Sequence, residues 1–123
     1  MKLSRVVALL AGLFFVALGV WAFFGPHSFY VRLAHFPPYN RHFLHDVGAF
    51  QIGLGAALLI ALRWNDAVGV ALAGVGIGAA VHAASHWWDR SLGGKSSDPY
   101  VLTALALVLI VAAGLRHRGR VTG

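Results

Sequence analysis

With 123 residues the chain has room for one domain, and with 59% apolar and only 11% charged residues it lacks the charge that covers a water-soluble surface. Its formal charge of +6 does not read as a nucleic-acid footprint, because the basic residues sit at the ends of apolar runs rather than between aromatic stackers. The absence of cysteine removes disulfides, thiolate metal sites and cysteine nucleophiles together.

The first apolar run, 6–24, is long enough to cross ~30 Å of hydrocarbon and exceeds the roughly 7–15-residue core of a secretory signal. It reads as a retained membrane helix, stopped by Gly25-Pro26 because proline cannot continue the hydrogen-bond ladder. A loop of about 15 residues, with Pro37-Pro38 near its end, leads to Asn40, an N-cap for a second helix over 41–63. Asn65-Asp66 makes a tight turn and caps a third helix over 67–89. After a Gly/Ser loop, Asp98-Pro99 places an N-cap before a first-turn proline and opens a fourth helix over 99–116. The basic tail 116–123 is expected to fray. The fold class is all-α: a single four-helix transmembrane bundle over 1–123, multi-pass in a cell inner (plasma) membrane, with the lipid bilayer as its first partner.

Lys and Arg set the orientation. One side holds Lys2, Arg5, Arg63, Arg116, Arg118 and Arg120, placed to anchor at headgroups; the other holds Arg32, Arg41, Arg90 and Lys95, diluted by Asp46, Asp89 and Asp98. The excess points to N-in, C-in.

Ala49, Gly53 and Ala57 share one face of the second helix, and Ala71, Gly74 and Gly78 share one face of the third. Small residues at this spacing let membrane helices approach closely, so these two faces are expected to meet in an antiparallel hairpin.

Helix 1, with Arg5, Gly12 and Gly19 followed by Pro26 and Phe29, looks like the opening of DoxX-like four-helix membrane proteins. The run Asp46-Val47-Gly48-Ala49-Phe50-Gln51-Ile52-Gly53-Leu54-Gly55 is similar to that superfamily's glycine-rich second helix. The resemblance covers most of the chain and implies the fold. Some such proteins are linked to sulfur- or quinone-dependent oxidoreductase assemblies, which implies a redox association or a quinone contact here. This chain departs from them in its histidines, which are not a general feature of the superfamily.

Four of the seven histidines fall in two patterns: His42-Phe43-Leu44-His45-Asp46, and His82-Ala83-Ala84-Ser85-His86 followed by Asp89. Residues three or four apart share a helix face, so His42 with Asp46, and His82 with His86 and Asp89, extend the small-residue faces. Counted from the turn near Trp64 at ~1.5 Å per residue, Asp46 and His82 both lie at ~27 Å, and His42 and His86 at ~33 Å. They therefore stand level. Histidines at i and i+4 are a two-ligand helix clamp, and imidazoles with a carboxylate suit Zn, Cu, Fe or Ni. The candidate metal site is His42, His45, Asp46, His82, His86 and Asp89, with Asp46 as ligand or as the acceptor that fixes a histidine tautomer. Haem held by two histidines across the bundle, a proton relay, and a hydrogen-bonded polar network at headgroup level are alternatives for the same residues. A non-catalytic accessory subunit of a membrane oxidoreductase or respiratory complex is the alternative from another class. Gln51 is expected to form an interhelical hydrogen bond, His27 and His35 to be solvated, and His117 to face headgroups.

Overall fold

The structure, a computed structural model, describes residues 2–121. Thr122 and Gly123, and the side chain of Arg120, which enters the charge asymmetry, lie outside the described residues. Five helices follow one another: α1 (Leu3–Phe24), α2 (Pro26–Arg32), α3 (Arg41–Ala61), α4 (Ala67–Trp88) and α5 (Asp98–Val121). Among the described residues there is no strand. Four of the helices, all but α2, are long and apolar enough to cross a membrane. A 22-residue helix such as α1 spans ~33 Å at 1.5 Å per residue, a match to ~30 Å of hydrocarbon. Their outward faces carry bare Leu10, Phe50, Val70 and Val81, the last three at 76%, 76% and 67% exposure, which suits lipid and not water.

The boundaries differ from expectation in three places. The long loop after helix 1 contains α2, whose start is Pro26 at the position where a missing N–H costs nothing. Trp21 Nε1 donates to Ser28 Oγ at 2.8 Å and Ser28 Oγ to Gly25 O at 3.0 Å, folding α2 back on α1. Asp66 makes no side-chain cap. The expected fraying is absent over 117–121, where α5 continues through the basic tail. Asn40 caps as expected, its Oδ1 accepting from Phe43 N at 3.0 Å.

The helices pair as α1 with α3 and α4 with α5. On α1, Ala8, Gly12, Phe15, Gly19 and Ala22 are buried at alternating steps of four and three, and on α3 Leu44, Gly48, Gly55 and Leu58 follow the same rhythm. That is the seam of helices packed at a shallow angle. The two glycine pairs meet in antiparallel register: a Cβ on Gly19 would lie 2.7 Å from Gly48 O, and one on Gly55 2.6 Å from Gly12 O. Backbone touches backbone here. Gly76 of α4 similarly admits Leu109 and Ile110 of α5. A core of Ala8, Phe15, Leu58, Leu72, Val75 and Leu109 joins the two pairs, and a smaller one of Ala22, Phe29 and Leu44 lies beside α2.

This arrangement overturns the expected contact between the small faces of the second and third predicted helices, here α3 and α4. Ala49, Gly53, Ala57, Gly74 and Gly78 are not buried in that hairpin, and a Cβ on Gly53, Gly74 or Gly78 would meet nothing within 4 Å. The short turn ties the ends of α3 and α4 together without dictating which faces pack. The seven-residue glycine spacing shared by α1 and α3 decided it, since it brings two backbones together along two turns of helix.

At the end of the bundle that carries both termini, two arginines clasp the α3–α4 turn. Arg5 donates to Leu62 O at 2.7 Å and to Asn65 Oδ1 at 3.1 Å, and Arg116 donates to Asn65 O at 2.5 Å. Expected as headgroup anchors, they instead satisfy carbonyls just beyond the α3 C-terminus, where cations are favoured and backbone acceptors lack helical partners. Arg116 is only 8% exposed. At the opposite, loop end, Gly94 N donates to His35 O at 2.9 Å. Gly93 and Gly94 take φ of +147° and +74°, and the carbonyl of His35 and the ring of Phe36 leave no space for side chains there.

Candidate functional site

The loop end of α3 and α4 holds the histidines. On α4, His82 and His86 lie one turn apart and their Nε2 atoms approach to 3.1 Å, with the rings at 69° to each other. Two nitrogens bound at ~2.0–2.1 Å to one tetrahedral ion stand ~3.3 Å apart, so the pair is already spaced as a clamp. Ser85 Oγ donates to His82 O at 2.7 Å and ties the hydroxyl to the helix rather than to either ring. The edge-to-face contact of His86 with Phe36, centroids 5.4 Å apart, props the clamp against the loop before α3.

On α3, His42 Nε2 stands 3.6 Å from Asp46 Oδ2, with both side chains open to their surroundings. His45 turns away from this pair and stacks on Phe23 of α1, centroids 4.9 Å apart and rings 29° from parallel. Asp89 is the C-cap residue of α4, its N–H donating to Ser85 O at 2.8 Å.

One groove joins the two helices. Phe43, Asp46, Val47, Phe50, Gln51 and Leu54 from α3 and His82 from α4 line a space of about 410 Å³. Asp46 and His82 thus face a common volume, as their level heights required. The six candidates nonetheless form two pairs, His82–His86 and His42–Asp46, with His45 and Asp89 apart from both. Among the described residues no group of three or more His, Asp or Glu side chains comes together to hold a metal. Gln51 makes no interhelical hydrogen bond: its Oε1 is buried without a partner among the described residues. Gln51 instead lines the α3–α4 groove, where apart from Asp46 and His82 its neighbours are apolar and offer no donor. His27 packs edge-on to Tyr39 and His35 against Tyr30, both exposed as expected, and His117 is exposed on α5.

Sequence reasoning missed the supports. Phe36 under His86 and Phe23 under His45 come from distant segments, and no spacing in the sequence announces either. Comparison with protein-family models, curated proteins and solved structures gave no match, so the site is read from this chain's own residues.

Proposed function

We propose that this chain is a membrane protein that binds a divalent transition metal through His82 and His86 at the loop end of the bundle. The observation that carries the reading is the 3.1 Å approach of the two Nε2 atoms on successive turns of α4. Two imidazoles fit Zn, Cu, Ni or Fe in preference to Mg or Ca, which demand oxygen ligands. Asp46, facing the same groove, supplies either a further ligand or the acceptor that orients a histidine. His42 belongs to this reading because its Nε2 stands 3.6 Å from Asp46 Oδ2. Cross-bundle haem fits less well, because His45 is engaged by Phe23 and His82 by His86 on its own helix. The redox association rests on the DoxX-like resemblance alone.

The test is metal per chain after detergent purification, beside a melting curve with and without added Zn, Cu, Ni or Fe. A metal at 100 times its Kd stabilises the folded state by about 2.7 kcal/mol, a readable rise in Tm. Protein that carries no metal and gains no stability from any of the four would overturn the reading.

The open α3–α4 face favours one reading from another class, a non-catalytic accessory subunit whose partner helix lies along Gly53, Gly74 and Gly78. Such a subunit co-purifies with larger partners and carries no metal of its own.

A further inference from the structure

We infer that the groove between α3 and α4 binds a lipophilic organic cation, its charge set against Asp46 and its apolar body against Phe43 and Phe50. The inference goes beyond the metal reading and does not use the His82–His86 clamp on which that reading stands.

Asp46 is the carboxylate out of place. The four acidic residues are Asp46, Asp66, Asp89 and Asp98. Three of them stand at helix boundaries: Asp66 and Asp89 as the cap residues of α4, and Asp98 as the first residue of α5. Asp46 alone lies within a helix of membrane length, a turn and more past the start of α3. An ionisable group in such a helix is costly without a partner and marks a site. Its side chain is 55% exposed and faces His42 Nε2 at 3.6 Å, outside hydrogen-bond range. The carboxylate therefore keeps its capacity for a cation.

Its surroundings suit one. Phe43 and Phe50 lie three residues before Asp46 and four after it, which puts them on the same face of α3. Both rings are exposed. An aromatic face attracts a cation within about 6 Å of its centroid, so a charge held at Asp46 has a ring on either side along the helix. Val47 and Leu54 continue the wall, and the space of about 410 Å³ is the size of a small-molecule site, roughly 300–1,000 Å³. Gln51 lines the same groove, and its Oε1 is covered and has no donor. Such an oxygen is stabilised by positive charge beside it. No Lys or Arg lines the groove.

The sign and shape of the occupant follow. An anion would meet a carboxylate and an unpaired amide oxygen. A neutral acyl chain would leave the carboxylate against hydrocarbon. A cation with an apolar body satisfies both ends of the groove: Asp46 stands toward the loop end, and Leu54 lies ~12 Å deeper along α3 at 1.5 Å per residue.

The experiment uses the full chain in detergent at pH 8 with EDTA throughout, which keeps its outcome apart from that of the metal reading. The probe is tetraphenylphosphonium, and the control is tetraphenylborate, an anion of the same shape. Equilibrium dialysis against detergent alone reads binding, and native mass spectrometry reads the oligomeric state. The expected result is one cation bound per chain, with the anion bound at least ~10-fold more weakly. Asp46→Asn, which removes the charge at nearly constant shape, should lower cation affinity at least ~10-fold with the melting temperature unchanged. Phe50→Leu should lower it ~2–5-fold through loss of the aromatic face. Asp89→Asn, which removes the same charge from the exposed end of α4, should change nothing. Equal binding of the two ions, or Asp46→Asn equal to wild type, would mean a groove filled by lipid chains and would overturn the inference. A dimer that excludes the probe until it dissociates would put a second copy there and would also overturn it, as would a chain that binds no cation at all. In each of these cases the metal reading is decided separately, by zinc binding without EDTA.

Discussion

In the proposed metal reading two side chains should dominate. His82→Ala or His86→Ala leaves a single imidazole on α4, so each should remove most bound metal, exceeding the ~10–100-fold that loss of a supporting partner costs. Asp46→Asn should weaken retention within that lower range. His117→Ala, exposed on α5 at the terminal end, should change nothing. Metal per chain for the four variants, each with a melting curve, checks the ranking, and equal retention in all of them would remove the clamp. Arg116 makes a different demand. Its donation to Asn65 O is a charge-assisted bond made by a side chain that is almost wholly buried, so Arg116→Ala should destabilise the bundle by about 1.5–3 kcal/mol. Denaturation in detergent measures this, and a neutral result would mean that Arg5 alone suffices to hold the turn.

At the level of helices, glycine has two meanings in this chain. Where backbones touch it is obligatory: a methyl on Gly48 would stand 2.7 Å from Gly19 O. Gly48→Ala should therefore push α1 and α3 apart at a cost of about 1–3 kcal/mol, the usual penalty of overpacking. Where glycine faces open space it is replaceable. Gly114 of α5 has nothing within 4 Å of its Cβ position, so Gly114→Ala should be neutral or stabilising by up to about 1 kcal/mol through helix propensity. Thermal melts of the two variants in one detergent should move in opposite directions or differ clearly. A Gly48→Ala protein as stable as Gly114→Ala would show that the α1–α3 seam is looser than the structure has it.

For the molecule as a whole, four long antiparallel helices bring α1's start and α5's end to the same end of the bundle, marked by Arg5 and Arg116, both bonded to Asn65. We propose that this end faces the cytoplasm, because Lys2, Arg63 and Arg118 join the two clasping arginines there. The histidines then face the other side. A reporter enzyme active only outside the cytoplasm, fused after Gly123, should be silent; strong activity would invert the molecule and move the metal chemistry to the cytoplasmic face.

Much of this was legible without coordinates. Apolar runs of membrane length, stopped by Gly25-Pro26 and reopened by Asn40 and Asp98-Pro99, determine four helices long and apolar enough to cross a bilayer, in which a helix satisfies its own backbone hydrogen bonds. Residue counts from Trp64 also placed Asp46 and His82 at one height, since the rise of a helix is constant. Which faces touch was another matter. Ala49-Gly53-Ala57 and Gly48-Gly55 are both stripes of small residues on the same helix, and sequence spacing ranks neither above the other. Only the assembled bundle chose Gly48 and Gly55, because Gly12 and Gly19 of α1 offered two matching points of backbone contact and α4 offered α3 none. That choice left Gly74 and Gly78 bare beneath His82. The ladder of hydrogen bonds within each helix is local and can be read along the chain, whereas the selection of partners depends on the fit of surfaces far apart in sequence, which tertiary packing alone decides.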